Sequence, residues 1–245
     1  MNMNIRPTFR FQFVVFLKGA IVMFLIMTAI MTAFMSLTVG VDSQTVIMSF
    51  SGYGFATMIF MFVMGIVNVR SDLRISLQFG VSRRTSFICE VLAALSTSVL
   101  LAVAGEVLNG VAQAISADKS NIFVADLYQL IYVGTNTPRL SVGQHIMSIL
   151  FNTGFALSVC LVGMFFSLMF WRLNKFWTIV AALCIPVVIN VGPIILYRLG
   201  FDIVAFGRWL AASPLNFMLC FAGVGLIAGT IDWMLLRKAN ILAAR

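Results

Sequence analysis

The chain has 245 residues, of which 61% are hydrophobic and only 10% charged, with a formal net charge of +8. A soluble domain is about 45–50% apolar and about 25% charged, so this composition belongs to a bilayer rather than to water. The basic residues fall between apolar runs rather than on one face, which excludes nucleic-acid binding as a primary role and points to membrane-orienting loops instead.

Residues 1–18 open the chain. Ile5, Phe9, Phe13, Phe16 and Leu17 recur at helical spacing, flanked by Arg6, Arg10 and Lys18, and Pro7 suits a first helical turn. The pattern predicts an amphipathic interfacial helix along the inner leaflet. The apolar run after it is longer than a signal-peptide core, about 7–15 residues, and is read as a retained span.

Six apolar runs follow, near 19–39, 46–67, 86–112, 143–170, 176–196 and 215–236. Each is close to the roughly 20 residues that a helix rising about 1.5 Å per residue needs to cross. Of the 16 Lys and Arg, only Lys119, Arg139, Arg198 and Arg208 fall on one side of this arrangement. The positive-inside bias then puts both termini in the cytoplasm. The expectation is an all-α integral membrane protein forming a single domain over 1–245.

Residues 69–87 form the densely charged stretch between spans two and three. Arg70, Asp72, Arg74, Arg83 and Arg84 carry the charge, while Leu73, Leu77 and Val81 fall at i, i+4 and i+8. That spacing predicts a short amphipathic helix stopped at Gly80, serving as a cytoplasmic docking element for a partner.

The third span carries Glu90 near one end and Glu106 near the other, about 24 Å apart along a helix. Ionisable groups in lipid cost about 2.5–3.5 kcal/mol on insertion scales, so each needs a reason. Glu90 is expected to pair with Arg83 and Arg84, and Asp232 with Arg237 and Lys238. Glu106 and Asn109 share a face. They either line an outward cavity or hydrogen-bond neighbouring elements.

In the loop 113–142 the segment 126–132 reads as a short helix. The fifth run contains Pro186, Asn190, Gly192 and Pro193, and predicts a kinked or broken helix that could line a pathway. The loop 197–214 is apolar enough to dip back into the outer leaflet or pack on the bundle. Cys89, Cys160, Cys184 and Cys220 lie in or beside apolar runs and read as free thiols.

No Gly-x-x-x-x-Gly-Lys-Ser/Thr phosphate loop and no His-Glu-x-x-His pair is present. Ser51-Gly52 follows Met48-Ser49-Phe50 rather than completing a Gly-x-Ser-Gly turn, and His145 stands alone in sequence. Catalytic and metal sites are not expected in this chain.

Six spans, an amphipathic N-terminal helix and the segment Leu77-Gln78-Phe79-Gly80-Val81-Ser82-Arg83-Arg84-Thr85-Ser86-Phe87 together resemble the ABC-2 family of transporter permeases. The resemblance spans nearly the whole chain in layout and about a dozen residues in motif. It implies a type V exporter fold in the bacterial plasma membrane, working as a dimer with a second permease copy or paralogue. ATP and Mg would bind separate ABC ATPase subunits that grip the segment from Arg70 to Arg84. Export of amphipathic peptides or hydrophobic compounds is the implied role. The long loop 113–142 departs from the shortest members of that family. A stand-alone channel or secondary transporter is the alternative.

Overall fold

The computed structural model describes residues 5–38, 48–50, 52–116, 122–134, 140–173, 178–180, 190–195, 197–200 and 202–237. Six named helices account for most of them: α1 Ile5–Thr38, α2 Gly52–Gln78, α3 Arg83–Ser116, α4 Val142–Arg172, α5 Ile203–Ala212 and α6 Pro214–Arg237. Five of these, all but α5, are long and apolar enough to cross a membrane. The expected span 176–196 lies mostly outside the described residues, which include only its helical pieces 178–180 and 190–195.

A parallel two-stranded ladder pairs β1, Met48–Phe50, with β2, Ile122–Val124, in the register Met48 to Ile122 through Phe50 to Val124. It ties the α1–α2 connection to the α3–α4 connection. That end of the bundle is called the loop end below. The opposite end, where α2 turns into α3, is the elbow end.

The elbow corrects one expectation. Residues 69–78 are not a separate helix but the last turns of α2. Nothing in Val67-Asn68-Val69 breaks a helix, and Val69 and Leu73 are 2% exposed, so packing carries the helix onward. Twenty-seven residues span about 40 Å against a hydrocarbon core of about 30 Å, leaving roughly 10 Å of α2 beyond it. Gly80 does stop the helix. Its φ of 72° is the left-handed conformation that favours glycine. There the Val81 N–H donates to the Ser76 carbonyl at 2.9 Å and the Gly80 N–H to the Leu77 carbonyl at 3.1 Å, the paired bonds of a Schellman cap. Two residues on, the Ser82 hydroxyl accepts from the Thr85 N–H at 3.1 Å and caps α3.

The N-terminal segment is likewise not an independent helix, because α1 runs unbroken from Ile5 to Thr38. Its first turns lie across the elbow end of α3. The Cys89 thiol meets the Ile5 carbonyl, whereas Gln12 bonds Ser86, so α1 does not climb α3 over this stretch. Farther along, Met31 clusters with Ala112, so there α1 does climb. Phe16 and Gln12 are fully buried, which fixes these turns to the bundle.

The tightest helix pair is α2 with α4. A Cβ on Gly65 would overlap the Cys160 carbonyl oxygen, and one on Gly163 would overlap the Phe62 carbonyl oxygen. Small residues allow such backbone approach between membrane helices. At the elbow end the Ser167 hydroxyl donates to the Ile66 carbonyl at 2.7 Å, and the Arg70 guanidinium donates to the Ser167 carbonyl at 2.7 and 3.2 Å. On the other side of α4, Phe155 meets Phe217 and Phe221, while Ser158 donates to the Phe221 carbonyl at 2.8 Å. Gly225 approaches Ser158, and Gly229 approaches Leu161. Phe62 with Gly163 precedes Ile66 with Ser167, and Phe155 with Phe217 precedes Leu161 with Gly229, so α2, α4 and α6 run parallel.

The segment expected to form a short helix at 126–132 is helical from Leu127 and widens into a π-helical turn over Gln129–Val133. The apolar loop contains α5, capped by Asp202, whose carboxylate accepts from the Ala205 N–H at 2.9 Å. α5 buries none of its residues, and the Tyr132 hydroxyl donates to its Leu210 carbonyl at 3.1 Å.

Candidate functional site

Polar chemistry collects at the two ends of the bundle. At the loop end, α4 presents His145, Ser148 and Asn152, spaced three and four residues apart and hence on one face. That face meets Glu106 of α3 and Asp126 of the loop. His145 Nδ1 lies 2.5 Å from Glu106 Oε1, the one ion-pair contact among the described residues. Ser148 Oγ lies 2.8 Å from Glu106 Oε2 and 2.8 Å from Asp126 Oδ2. The Asn152 amide also donates to Asp126 Oδ2. A hydroxyl has one hydrogen, so Ser148 donates to one carboxylate at a time.

Beside this cluster is a small recess lined by Tyr53, Thr57, Leu101, Gly105, Asp126 and Asn152, with room for about one water. Tyr53 packs against Gly105, where any Cβ would collide with its ring, and its hydroxyl donates to the Leu101 carbonyl at 3.0 Å. Glu106, singled out in the sequence, therefore sits in a hydrogen-bonded cluster next to a recess. Asn109 is 4% exposed, and its Nδ2 has no partner. Sequence reasoning left His145 isolated and missed Asp126, Ser148 and Asn152. The available signal was the polar i, i+3, i+7 stripe in the first half of an otherwise apolar α4.

At the elbow end the docking residues separate into two sets. Arg74 and Arg84 are exposed, with Phe79 between them at the tip, 81% exposed. Arg70 is anchored on the Ser167 carbonyl and stands over the Trp171 ring at 6.0 Å. Arg83 donates to the Arg237 carbonyl at 3.0 Å, at the end of α6 where carbonyls lack helical partners. Leu77 is half-buried against the core. Asp72 and Leu73 are 2% exposed and face other helices, so they present nothing to a docking partner.

Glu90 does not pair with Arg83 or Arg84. Seven residues put it about 10 Å along the helix from Arg83, and Arg83 turns the other way, to α6. Glu90 instead faces the Asp72 carboxyl of α2, and each acid keeps a buried oxygen without a partner. Asp232 is fully buried with neither carboxyl oxygen bonded, and it forms no ion pair with Arg237. Lys238 and Pro186 lie outside the described residues. Asn190 and Pro193 are exposed on the helical piece 190–195. Cys89 and Cys160 are buried free thiols, and Cys220 is half-buried. No cluster of three or more His, Cys, Asp or Glu among the described residues is arranged to hold a metal.

Five long apolar helices around one shared core make this a helical protein of multi-pass membrane character. Comparison with protein-family models, with curated proteins and with solved structures returned no match.

Proposed function

We propose that the chain is the membrane subunit of an ABC-2-type exporter, moved by a separate ATPase that docks on the α2–α3 elbow. The observation that carries this reading is the elbow itself. It is capped on both sides, it extends past the apolar length of α2, and it exposes Phe79 between Arg74 and Arg84. A push there passes to α4 through Arg70 and to α6 through Arg83. Docking must contribute a few kcal/mol of difference between two bundle states to shift their populations.

In this reading the elbow end is cytoplasmic, the loop end is external, and six spans cross. The parallel course of α4 and α6 supports the sixth crossing, because the chain must return from the elbow end of α4 to the loop end of α6. α5 is ten residues long, about 15 Å, too short to cross, and suits an apolar segment at the outer face. The permease pairs with a second copy or paralogue in the bacterial plasma membrane, and the cargo is an amphipathic peptide or hydrophobic compound.

The test is co-expression with the ATPase encoded nearest to this chain. Arg74→Glu with Arg84→Glu should abolish permease-stimulated ATP hydrolysis while the purified bundle unfolds at the wild-type temperature. Unchanged stimulation removes the docking assignment. A stand-alone secondary transporter is the second reading, favoured by the loop-end cluster of Glu106 and Asp126 beside a recess. Ion-driven uptake into liposomes without a second protein would establish it.

A further inference from the structure

Behind the elbow, α2 and α3 bring two acids together with nothing to neutralise them. Asp72 and Glu90 are 2% and 3% exposed. Asp72 Oδ2 and Glu90 Oε1 are buried with no hydrogen-bond partner. Among the described residues no arginine or lysine forms an ion pair with either, Arg70 and Arg83 being committed to backbone carbonyls. The other titratable groups facing the pair are Cys89 on α3 and Cys160 on α4, with Asp232 on α6 beyond Cys160. None of them supplies positive charge.

From α1 comes Gln12. Its amide nitrogen bonds Ser86, one turn before Glu90 on the same face of α3, and its buried Oε1 is a further acceptor without a donor. Apart from the Ser71 hydroxyl beside Asp72, the site holds an excess of acceptors and lacks hydrogen.

An ionised carboxylate only accepts, so two of them cannot hydrogen-bond. Two buried carboxylates facing each other with no cation to pair them repel, and only when one of them takes a proton can it donate to the other. We propose that Asp72 and Glu90 form a binding site for one exchangeable proton, which joins α2 to α3 behind the elbow. The proton lies between one oxygen of each acid, and the pair carries a single negative charge. Because the acids belong to different helices, parting α2 from α3 breaks the bond and releases the proton. By linkage, binding the proton favours the closed elbow. The site stands whatever supplies energy to the bundle.

The test uses the full chain in lipid nanodiscs at neutral pH, read by infrared spectroscopy of the carboxylic-acid carbonyl stretch. Wild type should show a protonated-carboxyl band that shifts in heavy water, with Asp232→Asn as the reference that removes any contribution from Asp232. Glu90→Gln should lose the band of the pair, because the amide supplies the hydrogen and Asp72 stays ionised. Identical wild-type and Glu90→Gln spectra would overturn the proposal.

The wild-type bundle carries a second arm that needs no variant within the pair. With spin labels at positions 74 and 84, raising the pH until the band disappears should lengthen the label-to-label distance. An unchanged distance would overturn the link to the elbow. Loss of the band on adding sodium at constant pH would make the ligand a metal cation and defeat the proton assignment.

Discussion

The two ends of the bundle each hold a pair of acids away from bulk water, and they treat them in opposite ways. At the loop end Glu106 and Asp126 are met by three donors from one face of α4. At the elbow end only the Ser71 hydroxyl approaches the pair, and Asp72 Oδ2 and Glu90 Oε1 have no partner. The difference lies in what the third helix offers. α4 turns His145, Ser148 and Asn152 toward the loop-end acids, but near the elbow-end pair it presents Cys160, a weak donor at best. A carboxylate with donors organises the groups around it. One without donors must find a proton.

The strongest way to break this comparison is to remove the scaffold common to both ends. Gly65→Ala drives a methyl group into the Cys160 carbonyl and forces α2 from α4. It should cost about 3 kcal/mol, read as a lowered unfolding temperature in nanodiscs, and should disturb both ends together. Ser148→Ala acts at the loop end alone. It removes the one hydroxyl between two carboxyl groups and should cost about 2 kcal/mol by the same measurement. His145→Ala should cost less, about 1 kcal/mol, because that side chain is 41% exposed and water replaces it.

The smallest effect sharpens the contrast. Asp72→Asn with Glu90→Gln keeps the shapes and supplies hydrogens, so the unfolding free energy should change by less than about 1 kcal/mol. The matching loop-end pair, Glu106→Gln with Asp126→Asn, should cost clearly more, since it removes acceptors that three donors use. Equal losses at both ends, measured by thermal unfolding of the two double variants, would erase the distinction.

Much of the fold was legible in the chain. Runs at 19–39, 46–67, 86–112, 143–170 and 215–236 correspond to α1, α2, α3, α4 and α6, although α1 starts 14 residues earlier and α2 ends 11 residues later than the runs. Gly80 was read correctly as a stop. The separate elbow helix was misread because residues 69–78 are polar enough to suggest a new element. Backbone hydrogen bonding ignores that change in polarity and continues α2. The ion pairs expected of Glu90 with Arg83 and Arg84, and of Asp232 with Arg237, are absent because closeness along the sequence was taken for closeness in space. On a helix, five or seven residues is more than a full turn of separation.

What the sequence determined by itself was which segments are apolar helices and where they turn. Hydropathy is a property of about 20 residues at a time, and caps are local chemistry. What only the tertiary structure decided was which polar groups meet: Glu106 with His145, and Asp72 with Glu90. Those meetings depend on how far each helix is rotated about its own axis. That rotation is set by close contacts such as Gly65 on Cys160 and Gly105 under Tyr53, between residues far apart along the chain.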